Sequence, residues 1–101
     1  MIPNLDQPDV TIGIVGAGTM GRGIAQMAVV AGYRALLTDQ FPAAAEDARA
    51  FISRMALRAA EKGRMTREAA ETALGRLHLV PHLDDLKDCA IVIEAIVEDL
   101  V

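Results

Sequence analysis

The chain has 101 residues, a formal net charge of −4 at pH 7, 24% charged residues and 52% hydrophobic ones. One globular domain at most fits in that length, and the acidic balance argues against a nucleic-acid binder driven by phosphate attraction. The single cysteine, Cys89, excludes an internal disulfide framework and a cysteine-rich zinc site, and no apolar run reaches the roughly 18 residues of a membrane span.

Residues 1–9 read as a tail. They carry Asp6, Asp9, Pro3 and Pro8 and no basic residue, so they lack the pattern of a secretory signal, and a cytoplasmic protein is expected. Residues 10–101 read as one unit with no internal linker. Val10 to Val15 is a continuous, β-branched run, the pattern of a short strand covered on both faces. A helix is predicted from about Met20 to Ala31, with Ile24, Met27, Ala28 and Ala31 as its inward stripe and Gly32 as its stop. Arg34 to Thr38 is a second strand. A long helix follows from Pro42, a residue suited to a first turn, to Lys62, with Ala48, Phe51, Ile52, Met55 and Ala59 inward. Thr66 is a plausible N-cap for a further helix ending at Leu74, with Glu68 in its first turn and Gly75 as terminator. Leu77 to Val80 is a third strand, Leu83 to Lys87 a helical turn, and Ala90 to Ile93 a fourth strand.

Strands and helices that alternate in this way predict right-handed crossovers and a parallel sheet. The fold class is therefore α/β: a Rossmann-type parallel sheet with flanking helices, truncated to the first half of a doubly wound domain. Eighteen alanines, no tryptophan, one tyrosine and two phenylalanines imply a core built on close backbone approach.

The turn Gly16-Ala17-Gly18-Thr19-Met20-Gly21 has the form G-x-G-x-x-G, between a predicted buried strand and a predicted helix. Gly16 allows a sharp exit from the strand, Gly18 lets a pyrophosphate approach the backbone, and Gly21 lets the helix pack close. The phosphates would meet free N–H groups and the positive end of the helix dipole. No Gly-Lys-Ser/Thr follows, which argues against a triphosphate-binding loop. Asp39, at the end of the second strand, stands where a carboxylate would accept hydrogen bonds from an adenosine ribose, and its charge favours NAD over NADP. The alternative for Asp39 is a helix N-cap. Gln40 would lie beside the adenine or ribose.

With the turn, Asp39 and the last strand in place, the chain resembles the N-terminal, NAD-binding part of the 3-hydroxyacyl-CoA dehydrogenases (3-hydroxybutyryl-CoA and 3-hydroxyadipyl-CoA dehydrogenases among them). The resemblance rests on Ile12 to Gln26, Asp39-Gln40, Glu61-Lys62-Gly63 and Ile91 to Glu98. It implies oxidation of a 3-hydroxyacyl-CoA to the 3-ketoacyl-CoA with hydride passing to NAD, in fatty-acid or related acyl-CoA metabolism. Ala95, Ile96 and Glu98 would line the nicotinamide half of the cofactor site, and Lys62 matches a position that meets a CoA phosphate. The serine that accompanies that lysine in the family is Met55 here. The family's catalytic histidine and glutamate match no residue of this chain, His78 and His82 included, so the chain by itself is expected to be inactive. A homodimer is expected of the full-length enzyme, with no nucleic-acid or membrane partner and no metal.

Several weaker signals stand beside these. Arg54, Arg58 and Lys62 share a helix face that is either a phosphate-binding stripe or a solvated surface. Glu94 reads as structural and Cys89 as an inert small hydrophobe. The alternatives to the main reading are another NAD-dependent dehydrogenase with the same turn, such as a 6-phosphogluconate or 3-hydroxyisobutyrate dehydrogenase, and a free-standing NAD-sensing module.

Overall fold

The computed structural model describes residues 10–96. It contains β1 (Thr11–Val15), α1 (Thr19–Val30), β2 (Arg34–Thr38), α2 (Pro42–Glu61), α3 (Arg67–Leu74), β3 (Leu77–Leu79), a single 3₁₀ turn (Leu83–Leu86) and β4 (Ile91–Glu94). The four strands form one parallel sheet in the order β3-β2-β1-β4. β1 is thus the point where the chain, having stepped outward through β2 and β3, returns to the opposite side of the sheet. Ligands of open α/β sheets bind in the crevice beyond the strand C-termini at such a reversal.

All three helices touch one another, and two of them lie against the sheet: α1 on β1 and β2, α2 on β2 and β3. The strand residues facing them alternate, as a pleated sheet requires: Ile12 and Ile14 from β1, Ala35 and Leu37 from β2. Across from these the helices present Ala25, Ala28 and Val29, then Ala45, Ala48 and Ile52, then Ala73. The core is an alanine core, and Ile14, Leu37, Ile52 and Val29 are its largest fully buried side chains. On the other face of β1, a methyl group at Gly13 would meet Cys89 Sγ at 3.0 Å and Leu86 at 3.3 Å, so the segment before β4 lies directly on the strand. β1 is covered on both faces, as its unbroken apolar run predicts.

The helix boundaries fall within a residue or so of those predicted. Thr66 is the N-cap of α3, its hydroxyl accepting from the Ala69 N–H at 3.0 Å. Two stripes need correction. In α1 the inward residues are Gly21, Ala25, Ala28 and Val29, whereas Met27 is 69% exposed and Ala31 is exposed as well. The helix is rotated because Gly21 must face the strand: a methyl group there would overlap the Gly16 carbonyl oxygen. In α2 the stripe is Ala45, Ala48, Ile52 and Ala56, with Phe51 and Met55 only half-buried at its flank. Smaller side chains bring the helix nearer the sheet than Phe51 and Met55 would allow. β4 is less buried than β1. Ile91 and Ile93 turn partly inward, Val92 is 49% exposed and Glu94 is exposed, because β4 is the outer strand of the sheet on its side.

Replacing Gly21 by alanine is predicted to lower the unfolding free energy by about 1–3 kcal/mol or more, the cost of forcing a methyl group into a packed contact. Urea denaturation read by circular dichroism measures it.

Candidate functional site

Beyond the C-terminal ends of β1, β2 and β4 lies an open cleft of about 900 Å³. Its floor is the glycine turn (Val15, Gly16, Gly18), one wall is Thr38, Asp39, Gln40 and Phe41, and Ala95 and Ile96 close it on the β4 side. Pro81, His82, Leu83 and Asp84, from the connection after β3, complete it.

The turn is held from two sides by backbone hydrogen bonds. The Gly16 N–H donates to the Thr38 carbonyl oxygen at 2.8 Å, and the Ala95 N–H donates to the Val15 carbonyl oxygen at 2.7 Å. Gly16 has φ +104°, a region L side chains rarely enter, and a methyl group on it would stand 2.9 Å from the Ala95 carbonyl oxygen. Gly16 and Gly21 are therefore both demanded by the protein's own backbone. Gly18 is not. Its φ of −75° and ψ of −163° are open to any residue, and nothing lies within 4 Å of where its Cβ would be. The space a side chain would fill there belongs to the cleft.

Gly18 is also the N-cap of α1, and it supplies no side-chain cap. Among the described residues none accepts from the amides of Gly18, Thr19, Met20 or Gly21, and the first turn of α1 holds no acidic side chain. A helix start with unpaired amides and the positive end of its dipole is suited to an anion. The side chains of Thr19 and Met20 are exposed and line a separate shallow groove along α1, so what these two residues offer the cleft is backbone.

Asp39 ties the glycine turn to the chain entering α2, and the helix N-cap reading of it does not hold. Oδ2 accepts from the Ala17 N–H at 2.8 Å, and Oδ1 accepts from the Phe41 N–H at 2.8 Å. The second bond is an aspartate turn of two residues that leads into α2, whose N-cap is Phe41 rather than Asp39. An ionised carboxylate has about four acceptor positions. Two are used, so about one on each oxygen is left for hydroxyl donors. Arg34, by contrast, is exposed at the first residue of β2, the opposite end of the strand.

The other sequence-derived candidates divide. Gln40 and Ile96 are exposed and Ala95 is buried, all three at the cleft. Glu98 lies outside the described residues. Lys62 is the exposed C-cap of α2, and it does not line the cleft. A helix of 20 residues spans about 30 Å, which puts it at the far end from Pro42 and Asp39. The sequence reading missed Phe41 and the wall of Pro81 to Asp84. One signal for that wall was present: His82 and Asp85 are three apart, and the His82 N–H donates to Asp85 Oδ2 at 3.0 Å, fixing the 3₁₀ turn. Cys89 is half-buried beside Gly13. Burial, with the Asp88 charge adding to it, pushes its thiol up, so it stays protonated against Gly13. Among the described residues no group of three or more His, Cys, Asp or Glu side chains converges to hold a metal ion, and no helix is long and apolar enough to cross a membrane.

A four-stranded parallel sheet in the order 3-2-1-4, with a glycine turn at the reversal and an acid at the end of β2, defines the first half of a dinucleotide-binding domain. Comparison with known proteins gives the family. Residues 11–101 match the 3-hydroxyacyl-CoA dehydrogenase NAD-binding domain, and the chain belongs to that family, whose cofactor is NAD. It is 41% identical over 87 residues to a probable 3-hydroxybutyryl-CoA dehydrogenase of Deinococcus radiodurans, an alignment covering 86% of this chain and 31% of the relative. It is 36% identical to the 3-hydroxyadipyl-CoA dehydrogenase of Escherichia coli, over 89% of this chain and 19% of that protein. Among solved structures it is similar to the (S)-3-hydroxybutyryl-CoA dehydrogenase of Ralstonia eutropha (TM-score 0.83, 40% identity, 88% of this chain and 31% of that one). The chain thus spans about a third or less of the length of these relatives.

Removing the Asp39 carboxylate strands the buried Ala17 amide. Asp39→Ala is predicted to cost about 1–3 kcal/mol of stability, and Asp39→Asn, which keeps one carbonyl acceptor, to cost less. Denaturant midpoints at constant slope check both.

Proposed function

We infer that the chain is the cofactor-binding portion of an NAD-dependent 3-hydroxyacyl-CoA dehydrogenase. The observation that carries this is Gly18, a glycine with no demand from its own backbone or neighbours, at the mouth of a cleft that a methyl group would enter. A ligand that must approach the main chain supplies the missing reason. The donor set fits a dinucleotide: unpaired amides at the start of α1 for a diphosphate, free acceptor positions on Asp39 for a ribose diol, and Ala95 and Ile96 beside the turn for the nicotinamide half. When bound, NAD supplies the hydride acceptor for the oxidation of the 3-hydroxyl group.

The work of these residues is orientation. The amides of Gly18 to Gly21 fix the diphosphate, and Asp39 fixes the ribose while bracing the same turn through Ala17. Gln40 flanks the adenosine end. Glu98 completes the nicotinamide side, and Lys62 serves the CoA substrate away from the cleft. The whole enzyme oxidises a 3-hydroxyacyl-CoA, acts in the cytoplasm in acyl-CoA breakdown and pairs as a homodimer. It requires neither membrane nor nucleic acid. The names of the relatives support the substrate class, since they act on 3-hydroxybutyryl-CoA or 3-hydroxyadipyl-CoA. Residues 1–101 by themselves orient the cofactor and turn over no substrate.

Asp39 sets the preference between cofactors. A 2′-phosphate would sit against its carboxylate, and like charges at contact are strongly unfavourable. Calorimetric titration is expected to show NAD binding at least about 100-fold tighter than NADP, a difference of about 2.7 kcal/mol. Asp39→Asn is expected to narrow that ratio mainly by raising NADP affinity. Equal affinity of the unaltered chain for both cofactors would contradict the assignment of Asp39 to the ribose.

A further inference from the structure

Phe41 breaks two local rules at one place. It is the N-cap of α2, and its side chain makes no capping hydrogen bond, where serine, threonine, asparagine or aspartate would satisfy an amide of the first turn. Its ring is also 63% exposed, in a chain with two phenylalanines, one tyrosine and no tryptophan. The other two rings are used by the fold. Tyr33 and Phe51 pack against the core, and the Arg22 guanidinium carbon lies 3.9 Å from the Phe51 centroid. Phe41 lines the cleft instead, and so does Leu83, equally exposed, from the connection after β3. The Val80 N–H donates to the Leu37 carbonyl oxygen at 3.0 Å, so the chain leaves β3 alongside the end of β2. The His82 N–H bond to Asp85 Oδ2 then fixes the turn that starts at Leu83. Departures from local rules that coincide at a cleft point to function rather than to folding.

The sheet order says which part of a ligand meets this apolar pair. β1, with its glycine turn, has β4 on one side and β2, then β3, on the other. A dinucleotide with its diphosphate on the turn and a ribose on Asp39 runs toward β2. The base on that ribose therefore lies over the ends of β2 and β3, where Phe41 and Leu83 stand, and Ile96 is on the far side of the turn, after β4.

We propose that Phe41 and Leu83 hold the adenine base of the cofactor, with the Phe41 ring stacked on its face, and that α2 begins on a residue unable to cap it for that reason. The proposal rests on the reading of the cleft as a dinucleotide site. It goes beyond that reading, because neither the glycine turn nor Asp39 specifies the residue at position 41 or the connection after β3. A flat heteroaromatic base offers two π faces, and a ring laid on one of them gains stacking that an aliphatic wall does not supply. The consequence is an opposition between stability and binding. A capping residue at position 41 improves the start of the helix and weakens the hold on the cofactor.

The test is the Phe41→Ser variant of the chain, with Phe41→Tyr beside it. Each is titrated calorimetrically with NAD and with ADP-ribose, which lacks the nicotinamide, and each is unfolded in urea. Phe41→Ser is expected to bind NAD and ADP-ribose about tenfold more weakly, by the same factor for both, the usual scale for losing one base–aromatic stack. Its urea midpoint stays level or rises, because serine caps α2. Phe41→Tyr keeps the ring and keeps both affinities within about twofold. In the unaltered chain, the carbon-bound protons of bound adenine show nuclear Overhauser contacts to the Phe41 ring and the Leu83 methyl groups. NAD affinity unchanged in Phe41→Ser, or a loss for NAD that is absent for ADP-ribose, overturns the proposal and leaves the dinucleotide reading standing. A lower urea midpoint in Phe41→Ser overturns it as well, since the fold itself would then require the ring, and so does bound adenine without contacts to Phe41. Failure of the unaltered chain to bind either NAD or ADP-ribose removes the reading on which the proposal rests.

Discussion

Helix α1 lies so close to the turn leaving β1 that the Gly21 Cα faces the Gly16 carbonyl group with no room for a methyl group between them. That single approach determines much of the rest. It fixes the rotation of α1 about its axis, which buries Ala25, Ala28 and Val29 and leaves Met20, Met27 and Val30 outside. It aims the start of the helix at the end of the strand. It also explains the composition, because a helix held at backbone distance has room beneath it for alanine and little room for phenylalanine. The scarcity of aromatic residues and the alanine core are two consequences of one geometry.

The same turn is tied to the rest of the sheet by hydrogen bonds rather than by bulk. Thr38 of β2 and Ala95 after β4 reach it through the backbone, and Asp39 reaches it through a side chain that also shapes the entry to α2. The carboxylate proposed to read the ribose also holds the Ala17 amide in the turn. On that proposal, structure and recognition are coupled in one residue. An exchange at Asp39 disturbs both, which is why affinity alone cannot separate them and the ratio between two cofactors can.

Much of this was legible in the sequence. The unbroken β-branched run at Val10 to Val15, the spacing from Gly16 to Asp39, Pro42 at a helix start and Thr66 at another each have a local cause, and each holds in the structure. What was not legible depends on contacts between distant segments. Periodicity in α1 allowed several apolar stripes, and only the meeting of Gly21 with Gly16 selects one. The wall formed by Pro81 to Asp84 follows a short strand whose place at the far edge of the sheet no local pattern announces. The pairing of Arg22 with Phe51 joins residues 29 positions apart on two helices, and neither helix alone predicts it. Gly18 is a special case: the motif marked it, but only the folded structure shows that the protein has no need of its own for a glycine there.

That difference among the three glycines is the most direct test of the account. Gly18→Ala should be measured for unfolding free energy and for NAD affinity in the same preparation. The account predicts stability unchanged within about 0.5 kcal/mol, or slightly raised because alanine restricts the unfolded chain, together with a loss of NAD affinity of tenfold or more. Undiminished NAD affinity in that variant would contradict it, since the turn would then have a glycine at its mouth for no reason connected with the cofactor.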